Sequence, residues 1–174
     1  IPGDFVECGV WRGGHGILAK KIFERMGSSK KVWMFDTFEG MAEPTEYDVN
    51  AKTKEKASIK YQGKNKGTHV DWCYASLEDV KKCCQVSGID INSIKFVKGD
   101  VCNTLNDPAN RPDKIAVLRL DTDWYKSTKT ELEWLYPTLS NSGVLIIDDY
   151  GHWQGSRKAV DEYFANSEYK PLFN

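Results

Sequence analysis

Asp4-Phe-Val-Glu-Cys-Gly-Val-Trp-Arg-Gly-Gly-His-Gly16 decides how the rest of the chain is read. Asp4 to Gly9 has the form of a short apolar strand, and it runs into a glycine-rich turn from Gly9 to Gly16. Beyond the turn Leu18, Ala19, Ile22, Phe23 and Met26 recur at helical spacing, and Gly27 supplies a C-terminal stop. A strand, a tight glycine turn and a helix in immediate succession open an α/β fold.

The pattern repeats outward. Lys31 to Asp36 is a second apolar strand ending on an acid. Glu43 to Asp71 is polar, lysine-rich and without clear periodicity; it reads as a long loop or mobile cap, at about 43–72, with room for a short helix. Ser76 and Asp79 have the spacing of a helix N-terminus, followed by Leu77, Val80, Cys83 and Cys84 on one side until Gly88. Ile94 to Asp100 and Lys114 to Asp121 are the third and fourth strands. Thr128 and Glu131 have capping-box spacing for a helix through Leu132 and Leu135, ended by Pro137. Gly143 to Asp148 is a fifth strand, apolar on both faces. Ala159, Val160, Tyr163 and Phe164 mark a last helix, and Tyr169 to Phe173 a sixth strand. There is no internal repeat. The expected architecture is a Rossmann-like, doubly wound and mostly parallel sheet in one domain, 1–174.

In such sheets ligands bind beyond the carboxyl ends of the strands. Asp36, Asp100, Asp121 and Asp148 all stand there, on four strands. Gly9, Gly13, Gly14 and Gly16 lack the G-x-G-x-x-G spacing that seats a pyrophosphate. Glu7 precedes the turn instead, which favours a ligand bearing an ammonium or hydroxyls over phosphates. Asp36, about twenty residues past the turn, is placed to take ribose hydroxyls. Asp100 is within reach of an adenine amino group.

Asp121-Thr-Asp123 ends strand four and Asp148-Asp149 ends strand five. Carboxylates meeting on one rim repel unless a cation or a shared proton offsets them. An all-oxygen set suits Mg²⁺, Mn²⁺ or Ca²⁺ better than zinc. Asp149 joins Asp148 on one ion only if the chain turns at once, which Tyr150-Gly151 permits. His152 follows, with a side chain suited to proton transfer near neutrality.

Bulk properties remove other classes. A formal net charge of -1 over 174 residues gives no field for nucleic acid or an anionic membrane, and no apolar run is long enough to span a bilayer. Five cysteines without a C-x-x-C pair suit reduced thiols in a cytoplasmic protein. The opening Ile1-Pro2-Gly3-Asp4 has neither an initiator Met nor a signal-peptide pattern, as expected of a piece of a longer protein. The run Lys52, Lys54, Lys56, Lys60, Lys64 and Lys66 reads as a solvated face that can also steer an anion. Self-association as a homo-oligomer stays open.

Gly3 to Gly14, Phe35-Asp-Thr-Phe-Glu-Gly40, Leu118-Arg-Leu-Asp-Thr-Asp123 and Gly143-Val-Leu-Ile-Ile-Asp-Asp-Tyr-Gly151 resemble the macrocin O-methyltransferase family, whose members methylate sugar hydroxyls on macrolides. The match runs through nearly the whole chain in order. More broadly the chain is similar to catechol O-methyltransferase, with its class I methyltransferase fold. The resemblance implies S-adenosylmethionine as cofactor, with Glu7, Gly9, Asp36, Asp100 and Asp121 at contacting positions. It implies Asp121, Asp148 and Asp149 as ligands of Mg²⁺ or another divalent cation, and a small polyhydroxylated acceptor. The family's extra N-terminal helices are missing here, as is the last strand of the usual seven. The catechol enzyme's lysine base falls on Trp124, which leaves Asp123 or His152, beside Asp121 and the metal, to carry the catalysis. Two other readings remain: a nucleotide-sugar glycosyltransferase using Asp121-Thr-Asp123 as a D-x-D motif, and a non-catalytic cofactor-binding module.

Overall fold

A computed structural model describes residues 1–165 and 167. Five parallel strands, β1 (Asp4–Cys8), β2 (Val32–Asp36), β3 (Ile94–Lys98), β4 (Ile115–Leu120) and β5 (Leu139–Ile147), form one sheet in the order β3-β2-β1-β4-β5. The α/β doubly wound class expected from the strand–helix alternation is therefore the one observed. Successive strands step outward in one direction from β1 and in the other from β4. The crevice between β1 and β4 is thus the topological switch point, where ligands bind such sheets.

Helices α1 (Gly14–Arg25) and α3 (Leu77–Val86) cover one face, over a core that includes Val32, Met34, Val80 and Cys84. The other face carries α4 (Val101–Thr104), α5 (Tyr125–Trp134) and α6 (Gln154–Phe164), over Val6, Phe35, Leu118, Leu132 and Val160. Ser76 and Asp79 form the expected capping box on α3.

Three expectations need correcting or bounding. Thr128 and Glu131 do not cap a helix. α5 begins at Tyr125, and both residues are buried inside it, because the amide of Tyr125 is met by the carboxylate of Asp48 at 2.8 Å. β5 is not buried on both faces: at the edge of the sheet among the described residues, it leaves Val144 47% and Ile146 40% exposed, while Leu145 and Ile147 pack on the core. The sixth strand expected at Tyr169 to Phe173 lies outside the described residues.

The segment expected as a cap holds one helix, α2 (Ala57–Lys64). It is tied to the body by an antiparallel bridge between Asn50 and Trp153 and by Asp48, which also accepts from the amide and hydroxyl of Thr45. Trp72, Trp124 and Trp153 meet edge to face beneath it, with centroids 5.0 to 6.1 Å apart. No described helix is long and apolar enough to cross a membrane.

Candidate active site

The turn after β1 is built to let another chain segment pass close. Gly9 has φ +81° and lies against the carbonyl of Asp121 at the end of β4. Gly13 also takes a left-handed conformation, φ +78°, at the N-cap of α1. A cavity of about 170 Å³ opens between these ends, lined by Gly9, Trp11, Asp36, Asp100, Asp121 and Asp123 among others. Past Thr37, Gly40 and Gly99 it continues into a hollow of about 540 Å³ under the cap.

Asp36 lines this cavity, and its carboxylate clamps the turn. Oδ2 accepts from the amides of Val10 and Trp11 at 2.8 and 3.1 Å, and Oδ1 from Phe38 at 2.8 Å. Burial raises its pKa, and these bonds oppose the rise. Asp100 also lines the cavity and caps α4 through the amide of Cys102 at 2.8 Å.

Glu7 stands elsewhere. It is 1% exposed and braces the turn from beneath, accepting from the Gly16 amide at 3.1 Å and from Arg119 at 3.0 Å, with His15 Nδ1 at 3.1 Å. Burial pushes its carboxyl up to about 7 against the pull of Arg119. Its place is under the glycine turn, outside the cavity lining.

The carboxylates of Asp121, Asp123 and Asp149 offer oxygens that lie within 4.8 Å of one another. Burial raises all three, Asp121 to about 7 and Asp123 to about 9, and the charge of Asp149 adds to the rise of both. Asp148 adds to that of Asp149, while the contacts of Asp149 with Asp123 and Asp121 oppose it. Asp123 sits at φ +67° and accepts from the Trp153 indole N–H at 3.1 Å. The chain does turn after Asp148: the amides of His152 and Trp153 both donate to the carbonyl of Asp149. Asp149 is 9% exposed, and its Oδ2 has no hydrogen-bond partner among the described residues. Asp148 is outside this trio, pairing with Arg119 Nη2 at 3.1 Å.

A second hollow of about 320 Å³ opens beyond the acids, lined by Lys60, Trp72, Asp123, Asp148, Asp149, His152 and Trp153. Asp123 therefore stands in the wall between the two spaces. His152 faces the second, with Nε2 3.2 Å from the Asn50 amide nitrogen. Trp124, at the position of the catechol enzyme's base, is 1% exposed and donates its indole N–H to Ala42.

The family model for macrocin-O-methyltransferase (TylF) matches residues 1–172. The chain belongs to this family. Over 164 residues it is 36% identical to the 8-demethyl-8-(2,3-dimethoxy-alpha-L-rhamnosyl)-tetracenomycin-C 4'-O-methyltransferase of Streptomyces olivaceus, covering 94% of this chain and 58% of that one. To the mycinamicin III 3''-O-methyltransferase of Micromonospora griseorubida it is 33% identical over 164 residues, covering 94% and 61%. The chain thus spans about three fifths of the length of these curated relatives. The structure of the O-methyltransferase NovP superposes with a TM-score of 0.82 at 32% identity, covering 99% of this chain and 67% of that one. CalS11, a calicheamicin methyltransferase, shares the fold at TM-score 0.68 and 20% identity, covering 99% and 68%.

Sequence reading gave no role to Arg119, Asp48 or Trp153, and took Glu131 for a helix cap. Arg119 alone had a signal, as a charge between Leu118 and Leu120 in an otherwise apolar strand.

Proposed function

We propose that this chain is the core of an S-adenosylmethionine-dependent O-methyltransferase that uses a divalent cation and acts on a hydroxyl of a polyhydroxylated, sugar-type small molecule. The observation that carries the reading is Asp123, a half-buried acid in the wall between a cavity at the sheet's switch point and an acid-lined hollow.

Residues at the carboxyl ends of β1, β2 and β4 would hold the cofactor. Gly9 lets the backbone come close there, Asp36 holds the turn open, and Asp100 and Asp121 face the same space. When bound, the cofactor supplies an already activated methyl group, so the protein needs only to position the acceptor and balance charge.

Buried Asp149, with one orphaned oxygen and Asp121 close by on the same rim, offers the oxygen donors a hard dication fits. Asp121 and Asp149 would hold it, with Asp148 at the outer lip of the same opening completing the set. Such an ion supplies a lowered pKa and a fixed position to a hydroxyl oxygen. Asp123 is thereby reserved for the proton: it faces both spaces, and Trp153 orients it. His152, on the far side of the second hollow, can pass that proton to solvent. Trp72 and Trp153 offer indole faces to a sugar ring, and the cap at about 43–72 closes over the acceptor and selects it.

The test is thermal stabilisation by S-adenosylhomocysteine, with Mg²⁺ and with chelator, followed by a screen of polyhydroxylated acceptors. A rise in melting temperature that grows with Mg²⁺ is expected. No rise with S-adenosylhomocysteine overturns the reading.

A further inference from the structure

Arg119 is 7% exposed, on β4 in the wall beneath the acids. Its Nη1 donates to Glu7 at 3.0 Å and to Asp121 at 2.6 Å, and its Nη2 reaches Asp148 at 3.1 Å. A guanidinium keeps its charge when buried, and three carboxylates surround this one, so it is a fixed cation. Glu7 is itself pinned by the Gly16 amide, which anchors the guanidinium from the side of the glycine turn.

Arg119 therefore occupies the oxygens a dication would want. Asp121 and Asp148 are two of the three proposed ligands, and a guanidinium and a metal ion compete for the same lone pairs. A dication also pays a Coulomb penalty beside a fixed, buried positive charge.

We propose that Arg119 is a built-in competitor for the cation: it holds Asp121 and Asp148 in place while the ion is absent and sets the affinity with which the ion is taken. This rests on the cation site proposed above. It makes two claims beyond that site. The acid rim is ordered before the ion arrives, and cation affinity is held down by a residue that is not a ligand.

Titration calorimetry with MgCl₂ on the wild type, Arg119→Gln and Arg119→Lys decides the matter, with a melting curve and S-adenosylhomocysteine binding as folding checks. Gln keeps hydrogen-bond donors and removes the charge, so Arg119→Gln should bind Mg²⁺ about tenfold more tightly or better. Arg119→Lys restores the charge and should return affinity towards wild type. Equal or weaker binding by folded Arg119→Gln overturns the proposal, since a purely structural strut would lower affinity when cut. If Arg119→Gln does not fold, the wild type with ¹⁵N-labelled arginine gives the answer. Mg²⁺ must then shift the Arg119 guanidinium resonance, assigned by its loss in Arg119→Lys, and an unmoved signal overturns the competition. Should the wild type bind S-adenosylhomocysteine but no Mg²⁺, the cation reading falls and this inference falls with it.

Discussion

A Cβ on Gly9 would stand 1.9 Å from the carbonyl oxygen of Asp121. The turn that opens the proposed cofactor cavity is thus pressed against the strand end that carries the acids, and no side chain fits between them. Gly9→Ala meets both this clash and the cost of φ +81° for an L-residue, together about 2–4 kcal/mol. It should lower the melting temperature and abolish S-adenosylhomocysteine binding. Gly63→Ala is the control: it lies in α2 with open space at its Cβ, and should be neutral or stabilising by up to about 1 kcal/mol. Equal behaviour of the two variants in calorimetry would remove the steric argument.

Asp48 hooks the cap onto the body. Its carboxylate receives the amide of Tyr125 at 2.8 Å and the amide and hydroxyl of Thr45, and a Cβ on Gly155 would fall 1.8 Å from its Oδ1. Asp48→Ala leaves buried donors unmet and should cost about 3 kcal/mol. Limited proteolysis should then cut within 43–72 at protease levels that spare the wild type.

The same bond explains what the sequence could and could not disclose. Ser76 and Asp79 were readable because a capping box is a local device, complete within a few residues. Thr128 and Glu131 carry equivalent letters at equivalent spacing, yet the start of α5 is met by a carboxylate from 77 residues away. Local patterns cannot register such a partner. The strands, the glycine turn and the strand-end acids were legible for the converse reason, since period and punctuation lie in contiguous residues. Glu7 was found as an acid before the turn, but whether it faces cavity or core depends on Arg119 from another strand. The exposure of Val144 and Ile146 goes with β5 standing last in the sheet among the described residues, a property of strand order and not of its apolar run.

Glu131 gives a pH dependence with a definite sign. It is fully buried, accepts from Thr122 at 2.9 Å, and burial pushes its carboxyl up from 4.5 to about 8. The folded state therefore binds a proton that the unfolded state has released, so stability falls as pH rises. Its contribution is complete below about pH 4.5 and lost by about pH 8. Glu131→Gln keeps an acceptor for Thr122 and cannot titrate. Denaturant unfolding across this range should show a smaller loss of stability in the variant; parallel curves would mean that Glu131 is ionised throughout.

Trp153→Phe removes the indole N–H that orients Asp123 and leaves the aromatic contact with Trp72 and Trp124. Burial holds Asp123 protonated near neutrality, and a hydrogen bond to a neutral acceptor contributes about 0.5–1.5 kcal/mol, so kcat should fall about two- to tenfold. The KM for S-adenosylmethionine should stay within about twofold, because Trp153 lines the second hollow and not the cofactor cavity. A loss confined to KM would place Trp153 in binding and leave Asp123 without its proposed orienting partner.

Asp149→Asn separates the cation from the fold. In the cation-free protein Asp149 costs stability: it is buried, the charge of Asp148 stands next to it, and one oxygen lacks a partner among the described residues. The neutral, isosteric amide relieves that repulsion, so the variant should melt at the same temperature as the wild type or a few degrees higher, about 2–4 °C for each kcal/mol. With Mg²⁺ the order reverses. A site filled at a hundred times its dissociation constant stabilises the wild type by about 2.7 kcal/mol, and Asp149→Asn should gain little of this. Melting curves with Mg²⁺ and with chelator read both effects in one experiment. An Asp149→Asn protein still stabilised by Mg²⁺ to the wild-type extent would exclude Asp149 as a ligand.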